Sequence, residues 1–221
     1  MTAVVALLGH PVAHSLSPRV QNAAFAARGL DWHYLALDVP PERLEEAVRG
    51  LCALGFSGAN VTAPHKIAVA ENLEAALPSV NTLVVSEDDI EAHSTDTAIL
   101  STLSTERAAI LGDGGSARAF AHALPHARVF ARRGEWPPDV GDADLVINAT
   151  AERDQVLVTL EPGQTLVDLP YPETATAQAA RARGARVVDG REVLVAQGAA
   201  SFELWTGVPA PVDVMRAATR L

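Results

Sequence analysis

Along nearly the whole chain, short apolar β-rich runs alternate with segments of helical periodicity, and this constrains the fold more than any other feature. Residues 2–8 (TAVVALL) are continuously apolar and stop at Gly9. A strand that is apolar on both faces has to be covered on both faces, as an inner strand of a parallel sheet is. In residues 18–28, Val20, Ala23, Ala24 and Ala27 recur at helical spacing, with Ser17 expected as N-cap and Pro18 at the first helical position. Residues 32–39 return to strand. Residues 41–54 carry Leu44, Ala47, Val48 and Leu51 on one helical face and stop at Gly55. Residues 57–62 form a third strand, and Pro64 opens a helix carrying Lys66. Residues 80–85 and 91–94 pair as a hairpin across a polar turn, after which Thr95 and Asp96 are expected to cap a helix to about Ser104.

The pattern restarts after Thr105. Strands are expected at 107–111, 127–131, 145–149, 165–169 and 186–188. Helices follow the segment GDGGSAR as far as Leu124, then span 174–183, 192–205 and 211–221. Residues 133–143 (RGEWPPDVGDA) lack periodicity and hold two prolines, so they form a loop. The expected fold class is α/β, with parallel sheets flanked by helices on both faces. At 221 residues there is room for two modest domains.

Composition removes several classes of function. With 17 basic and 27 acidic side chains the formal charge is −10, which argues against a nucleic-acid partner, because phosphate backbones demand clustered Lys and Arg. The single Cys52 excludes a disulfide framework and a cysteine-based zinc site. Cys52 is expected in the core, and Trp205 as a packing anchor. His10, His14 and His65 lack the spacing of a helical metal pair, so no metal is expected. No apolar run approaches the ~18 residues of a membrane span. The first residues lack a basic region and a cleavage site, so the expectation is a soluble cytoplasmic protein with no membrane partner.

Two sets of residues carry chemistry. Gly112, Gly114 and Gly115 follow a predicted strand and precede a predicted helix. Glycines there let a backbone approach a pyrophosphate, and the helix start supplies free N–H donors; the same turn also serves as a plain tight connection. The next strand ends in Ala131-Arg132-Arg133, and two guanidiniums there favour a 2′-phosphate, hence NADP over NAD; the pair also reads as two solvated surface arginines. The second set is four polar clusters at predicted strand ends: His14-Ser15-Leu16-Ser17, Asn60-Val61-Thr62 with His65-Lys66, Val80-Asn81-Thr82, and Ser94-Thr95-Asp96. Strand ends in such a sheet line one crevice, so these hydroxyls, amides, Lys66 and Asp96 would converge on a small polyhydroxy ligand. A lysine beside an aspartate is equipped for proton transfer. Taken singly, each cluster also reads as helix capping.

In chain order, GHPVAHSLSPRVQNAAF, GFSGANVTAPHK, VNTL, STD, GDGGSAR, INAT, DLPY and LVAQGAASFELWTG resemble the shikimate dehydrogenase family, from about Leu8 to Trp205. The resemblance implies an N-terminal α/β substrate domain and a shortened Rossmann-like NADP-binding domain, with C-terminal helices returning to the first. The expected boundaries are 1–104 with 192–221, and 105–191. It implies NADP-dependent reduction of 3-dehydroshikimate to shikimate, in aromatic amino-acid biosynthesis, by a monomer or homodimer. By the same resemblance Ser15 and Ser17 would hold the substrate carboxylate, and Thr62, Asn81 and Gln197 the ring substituents. Lys66 and Asp96 would be the catalytic pair, and Tyr171 would line the junction of substrate and nicotinamide. Gly112, Gly114 and Gly115 would carry the pyrophosphate, and Arg132 the 2′-phosphate. Asn148, Ala149 and Thr150 would edge the cofactor.

The chain departs from the family pattern mostly in its second half. Ser94-Thr95-Asp96-Thr97 stands for Asn-Thr-Asp-Gly, and Ala131-Arg132-Arg133 for Asn-Arg-Thr. Ala151-Glu152-Arg153 replaces a Ser-x-Gly sequence, and residues 133–143 stand where the family places a helix and a further strand. A quinate or related polyol dehydrogenase, or a shikimate-binding protein with weak or no redox activity, are the alternatives left open here.

Overall fold

The computed structural model describes residues 2–87 and 89–220. The first apolar run is β1 (Ala3–Gly9), and its surroundings explain its composition. It is followed by α1 (Ser17–Ala27), β2 (Trp32–Asp38), a 3-10 turn at Pro41–Arg43, α2 (Leu44–Ala53), β3 (Gly58–Val61), α3 (Lys66–Asn72), β4 (Thr82–Val85), β5 (Ile90–His93) and a 3-10 turn at Ala98–Thr102. The second half contains β6 (Ala108–Leu111), α4 (Gly115–Ala123), β7 (Arg128–Phe130), β8 (Leu145–Asn148), β9 (Thr165–Asp168), α5 (Ala175–Ala182) and β10 (Arg186–Val188). Two helices close the chain, α6 (Gly190–Thr206) and α7 (Val212–Ala218). Packing divides it into two units: residues up to Asp96 together with those from Leu194 onward, and Thr97–Val193.

In the first unit the strand order is β2-β1-β3-β4-β5. β2, β1 and β3 are parallel, whereas β4 is antiparallel to β3 and to β5. The sheet is therefore mixed rather than wholly parallel, because the hairpin read from the polar turn is built into its edge. Ala6 and Leu8 of β1 pack with Leu44, Val48 and Leu51 of α2 and Val69 and Ala70 of α3, with Cys52 half-buried against the same core. Their neighbours Val5 and Leu7 point the other way and are also buried. Elsewhere in the unit, Phe25 of α1 stacks on Phe202 of α6 at 5.4 Å between ring centroids. Burying a side chain of this size contributes about 1.5–3 kcal/mol. Trp205 anchors α6 to the sheet by donating its indole N–H to the Leu83 carbonyl at 2.9 Å.

Two expected caps are replaced. Ser17 is itself helical, and Leu16 occupies the N-cap position with no side-chain bond. The hydroxyl comes from Ser15, whose Oγ accepts the Ser17 N–H at 3.2 Å. No α-helix follows Thr95 and Asp96; only the short 3-10 turn forms, with Thr97 before it. The side chains expected to cap it are engaged elsewhere, as described below.

In the second unit all strands are parallel, in the order β10-β9-β8-β6-β7. A six-stranded doubly wound sheet has the order 3-2-1-4-5-6. Among the described residues no strand lies beyond β7, so β7 is an edge. The loop 133–143 takes over part of the covering: Val140 and Ala143 enter the core with Leu111, Phe130 and Leu166, and Trp136 packs against it. Gln164 ties the loop down, its Nε2 donating to the carbonyls of Val140 (2.9 Å) and Ala143 (2.6 Å). Helix α5 is capped by Thr174, whose Oγ1 accepts the Ala177 N–H.

Candidate active site

The antiparallel turn of β4 matters for the site. Asn60 lies opposite Thr82, and Thr82 opposite His93, so β4 begins at the sheet end where β1, β3 and β5 finish. The four polar clusters therefore share one end of the first sheet. Lys66 opens α3 there. Its Nζ donates to both oxygens of Asp96, at 2.6 and 2.7 Å, with side-chain exposures of only 12% and 5%. A two-oxygen contact of this kind fixes the ammonium and leaves little torsional freedom to either chain.

Asn81 organises the pair. Its Nδ2 lies 3.1 Å from Asp96 Oδ1, 3.1 Å from Gln197 Oε1 and 3.0 Å from Thr95 Oγ1. Its Oδ1 accepts the Thr95 N–H at 2.7 Å. Thr95 and Asp96 are thus held by Asn81 and Lys66, which is why they do not cap a helix. Behind them lies a second tier. Asn60 donates to the Asn81 carbonyl, Thr82 Oγ1 and Ser201 Oγ, each at 3.0 Å, and its own Oδ1 accepts the Tyr34 hydroxyl at 2.9 Å. Ser201 Oγ also lies 2.9 Å from Thr82 Oγ1 and 3.1 Å from Thr95 Oγ1. Satisfied networks of this sort rigidify the groups they contain.

Tyr34 and Ser201 were not singled out from sequence. Ser201 carried a signal, since it lies four residues after Gln197 and so on the same helical face. Tyr34 carried none, being one more aromatic in a β-rich run. His65 of the PHK segment is structural: fully buried, its Nε2 donates to the Val39 carbonyl at 2.7 Å. Thr62, Ser15 and Ser17 are half-buried at the same sheet end. Gly9 has to lack a side chain there, because a Cβ would stand 2.4 Å from the Thr62 methyl. Tyr171 belongs to the second unit and lines a cavity of about 380 Å³ beside Asp189 and Arg191.

In the second unit the glycine turn lies where the strand order reverses between β6 and β8, the ligand-binding position of such sheets. Gly112 has φ +119°, and a Cβ on it would meet the Ala149 carbonyl at 3.0 Å. Gly114 faces open space, and Gly115 begins α4. A cleft of about 630 Å³ runs from Gly112 and Gly114 past Ala149 and Thr150 to Arg132, Arg133 and Trp136. An open glycine turn, a helix start and two guanidiniums in one cleft fit a dinucleotide phosphate.

Asn148 is placed differently from Ala149 and Thr150. It is fully buried and braces the turn: Nδ2 donates to Asp168 Oδ1 at 2.7 Å, and Oδ1 accepts the Thr150 N–H and hydroxyl at 3.1 and 2.8 Å. Burial pushes the Asp168 carboxyl above its ordinary pKa, opposed by the donors Asn148 and Thr174. Glu152 is held below the usual carboxylate range, first by the Asp154 backbone N–H and further by the Arg132 guanidinium, whose Nη2 lies 3.2 Å from Oε2.

The fold and these two sites define a two-unit α/β protein with a nucleotide cleft in one unit and a lysine–aspartate polar cluster in the other. The model of the shikimate dehydrogenase substrate binding domain matches residues 7–83, and that of the shikimate 5′-dehydrogenase C-terminal domain matches residues 190–220. A shikimate dehydrogenase (NADP(+)) of Anaeromyxobacter dehalogenans is 41% identical over 265 residues, covering 98% of this chain and 95% of that protein. The crystal structure of shikimate 5-dehydrogenase from Thermus thermophilus in complex with shikimate superposes with a TM-score of 0.88 at 31% identity, covering 99% and 98% of the two chains. The same protein in complex with NADP(H) and shikimate gives 0.87 at 30%, with the same coverage. The chain belongs to the shikimate dehydrogenase family. The 265-residue alignment is 44 longer than this 221-residue chain, so at least 44 of its positions fall opposite gaps, in keeping with the missing edge strand.

Proposed function

We propose that this protein is an NADP-dependent oxidoreductase that reversibly reduces 3-dehydroshikimate to shikimate in aromatic amino-acid biosynthesis. The observation that carries the reading is the Lys66–Asp96 pair, both carboxylate oxygens on one ammonium, joined through Asn81 to Gln197. The family's named activity and the complexes of its Thermus thermophilus relative with shikimate and NADP(H) support it.

The first unit serves as the substrate-binding domain and the second as the cofactor domain. Ser15 and Ser17, in the turn that starts α1, hold the substrate carboxylate through their hydroxyls. Thr62, Asn81 and Gln197 bond the ring hydroxyls, and Tyr171 is a further substrate-binding residue. Gly112, Gly114 and Gly115 carry the pyrophosphate, Arg132 the 2′-phosphate, and Ala149 and Thr150 flank the cofactor while Asn148 braces them. When bound, the nicotinamide supplies the hydride to the carbonyl carbon, or receives it in the reverse direction. Lys66 gives a proton to the carbonyl oxygen as negative charge develops on it, and its own charge stabilises that oxygen. Asp96 holds the ammonium in place and Asn81 holds Asp96.

Initial rates with shikimate and quinate, each with NADP+ and with NAD+, test the reading. Oxidation is expected to be fastest with shikimate and NADP+. A faster rate with quinate and NAD+ replaces it by a quinate-type dehydrogenase, and shikimate binding without turnover replaces it by a binding protein.

A further inference from the structure

Loss of the outer strand leaves β7 as an edge and shortens the connection from β7 to β8 to a loop. That loop does not hang free. Gln164 holds the carbonyls of Val140 and Ala143, Arg128 donates to the Asp139 carbonyl at 2.7 Å, and Val140 and Ala143 are buried in the core. The backbone is thus anchored a few residues beyond Trp136, and the proline pair Pro137-Pro138 stiffens the link. Trp136 itself is half-buried, with one part against the core and another in the wall of the 630 Å³ cleft. The Arg132 guanidinium carbon lies 5.8 Å from its ring centroid, within cation–π range. On its other side Arg132 meets Glu152.

From this placement we infer that Trp136 is an adenosine-binding residue of the second unit: its indole forms the stacking wall for the adenine of a 2′-phosphorylated adenine nucleotide and steers Arg132 onto the phosphate. The inference rests on the NADP reading above. A planar indole fixed at the mouth of a nucleotide cleft, with a guanidinium lying over it, presents two flat groups to a purine. Without the indole, the edge of the cleft beyond Arg132 would have no aromatic surface among the residues that line it. Glu152 holds the guanidinium until the phosphate takes its place, so Trp136 keeps Arg132 near the cleft throughout that exchange.

The test uses the full chain and the ligands NADP+, 2′,5′-ADP and shikimate. Trp136→Ala, Trp136→Leu and Trp136→Phe are compared with wild type by calorimetric titration, with the unliganded melting midpoint and shikimate affinity as controls. Ala and Leu are expected to weaken 2′,5′-ADP and NADP+ by about 5- to 150-fold, the range for loss of one base–aromatic stack, while Phe restores most of the affinity. Shikimate affinity is expected to stay within about twofold in all three. If Leu binds as well as Phe, the wall acts only as apolar packing and the stacking role is overturned. It is overturned equally if wild type binds 2′,5′-ADP and none of the variants weakens it, or if only variants with a lowered melting midpoint do. If wild type binds neither NADP+ nor 2′,5′-ADP, it is the NADP reading that fails, and this inference with it.

Discussion

Lys66 and Asp96 are thirty residues apart, and what brings them into a two-oxygen contact is the tier of neutral side chains beneath Asn81. Ser201 is the hub of that tier, touching Asn60, Thr82 and Thr95. Ser201→Ala removes one partner from each of several buried groups. It is expected to lower unfolding free energy by about 1–3 kcal/mol in urea titrations. If stability is unchanged, the tier does not carry the load assigned to it. At this scale the sequence was informative about groups whose chemistry is distinctive: a lysine, an aspartate and amides at strand ends. It was silent about Tyr34, because a buried tyrosine in a strand looks the same whether or not its hydroxyl braces an active-site asparagine. It misassigned Ser17 as a cap, where the helix starts one residue earlier than a cap would allow, and Thr95 and Asp96 as caps, because the capping preference of Thr and Asp does not reveal a stronger partner elsewhere in the fold.

Among the elements, β1 and the β6–α4 turn were the most readable. Their runs are apolar because they are covered on both faces, and the glycines mark a backbone conformation that other residues resist. Gly112→Ala places a side chain at φ +119° and 3.0 Å from the Ala149 carbonyl. It is expected to weaken NADP+ about tenfold or more, from about 1–3 kcal/mol of local strain, with shikimate affinity retained. Equal NADP+ affinity by titration would remove the turn from the cofactor site. The polar turn makes the hairpin legible in the sequence, but not its consequence. Only strand order shows that β4 starts at the end where β3 and β5 finish, and so why Asn81 meets Lys66's partner.

For the molecule as a whole, the short length was a sequence-level fact whose structural meaning is a lost edge strand in the second unit. How the remaining loop covers the sheet was unreadable, since 133–143 has no periodicity and its burial is decided by long-range partners such as Gln164. Stability should also carry a signature of the buried Asp168. Its carboxyl is raised above the ordinary 3.8, so between that value and the raised one the folded chain holds more protons than the unfolded chain. The contribution is fully present below the unfolded value and is lost as pH rises through the folded one. Asp168→Asn does not titrate. Wild-type stability is therefore expected to decline relative to this variant as pH is raised from below the ordinary 3.8, measured by urea titrations at successive pH values. A constant difference across that range would mean that Asp168 ionises as freely when folded as when unfolded.

The central claim is that Lys66 moves the proton in an NADP-linked oxidation of shikimate, and one assay addresses it directly. Turnover of shikimate with NADP+ is measured for wild type and Lys66→Ala, with shikimate binding followed separately by titration. The wild-type protein is expected to reduce NADP+, and the variant to lose about 10²- to 10⁴-fold in kcat while still binding shikimate. A Lys66→Ala protein that turns over as fast as wild type would contradict the account.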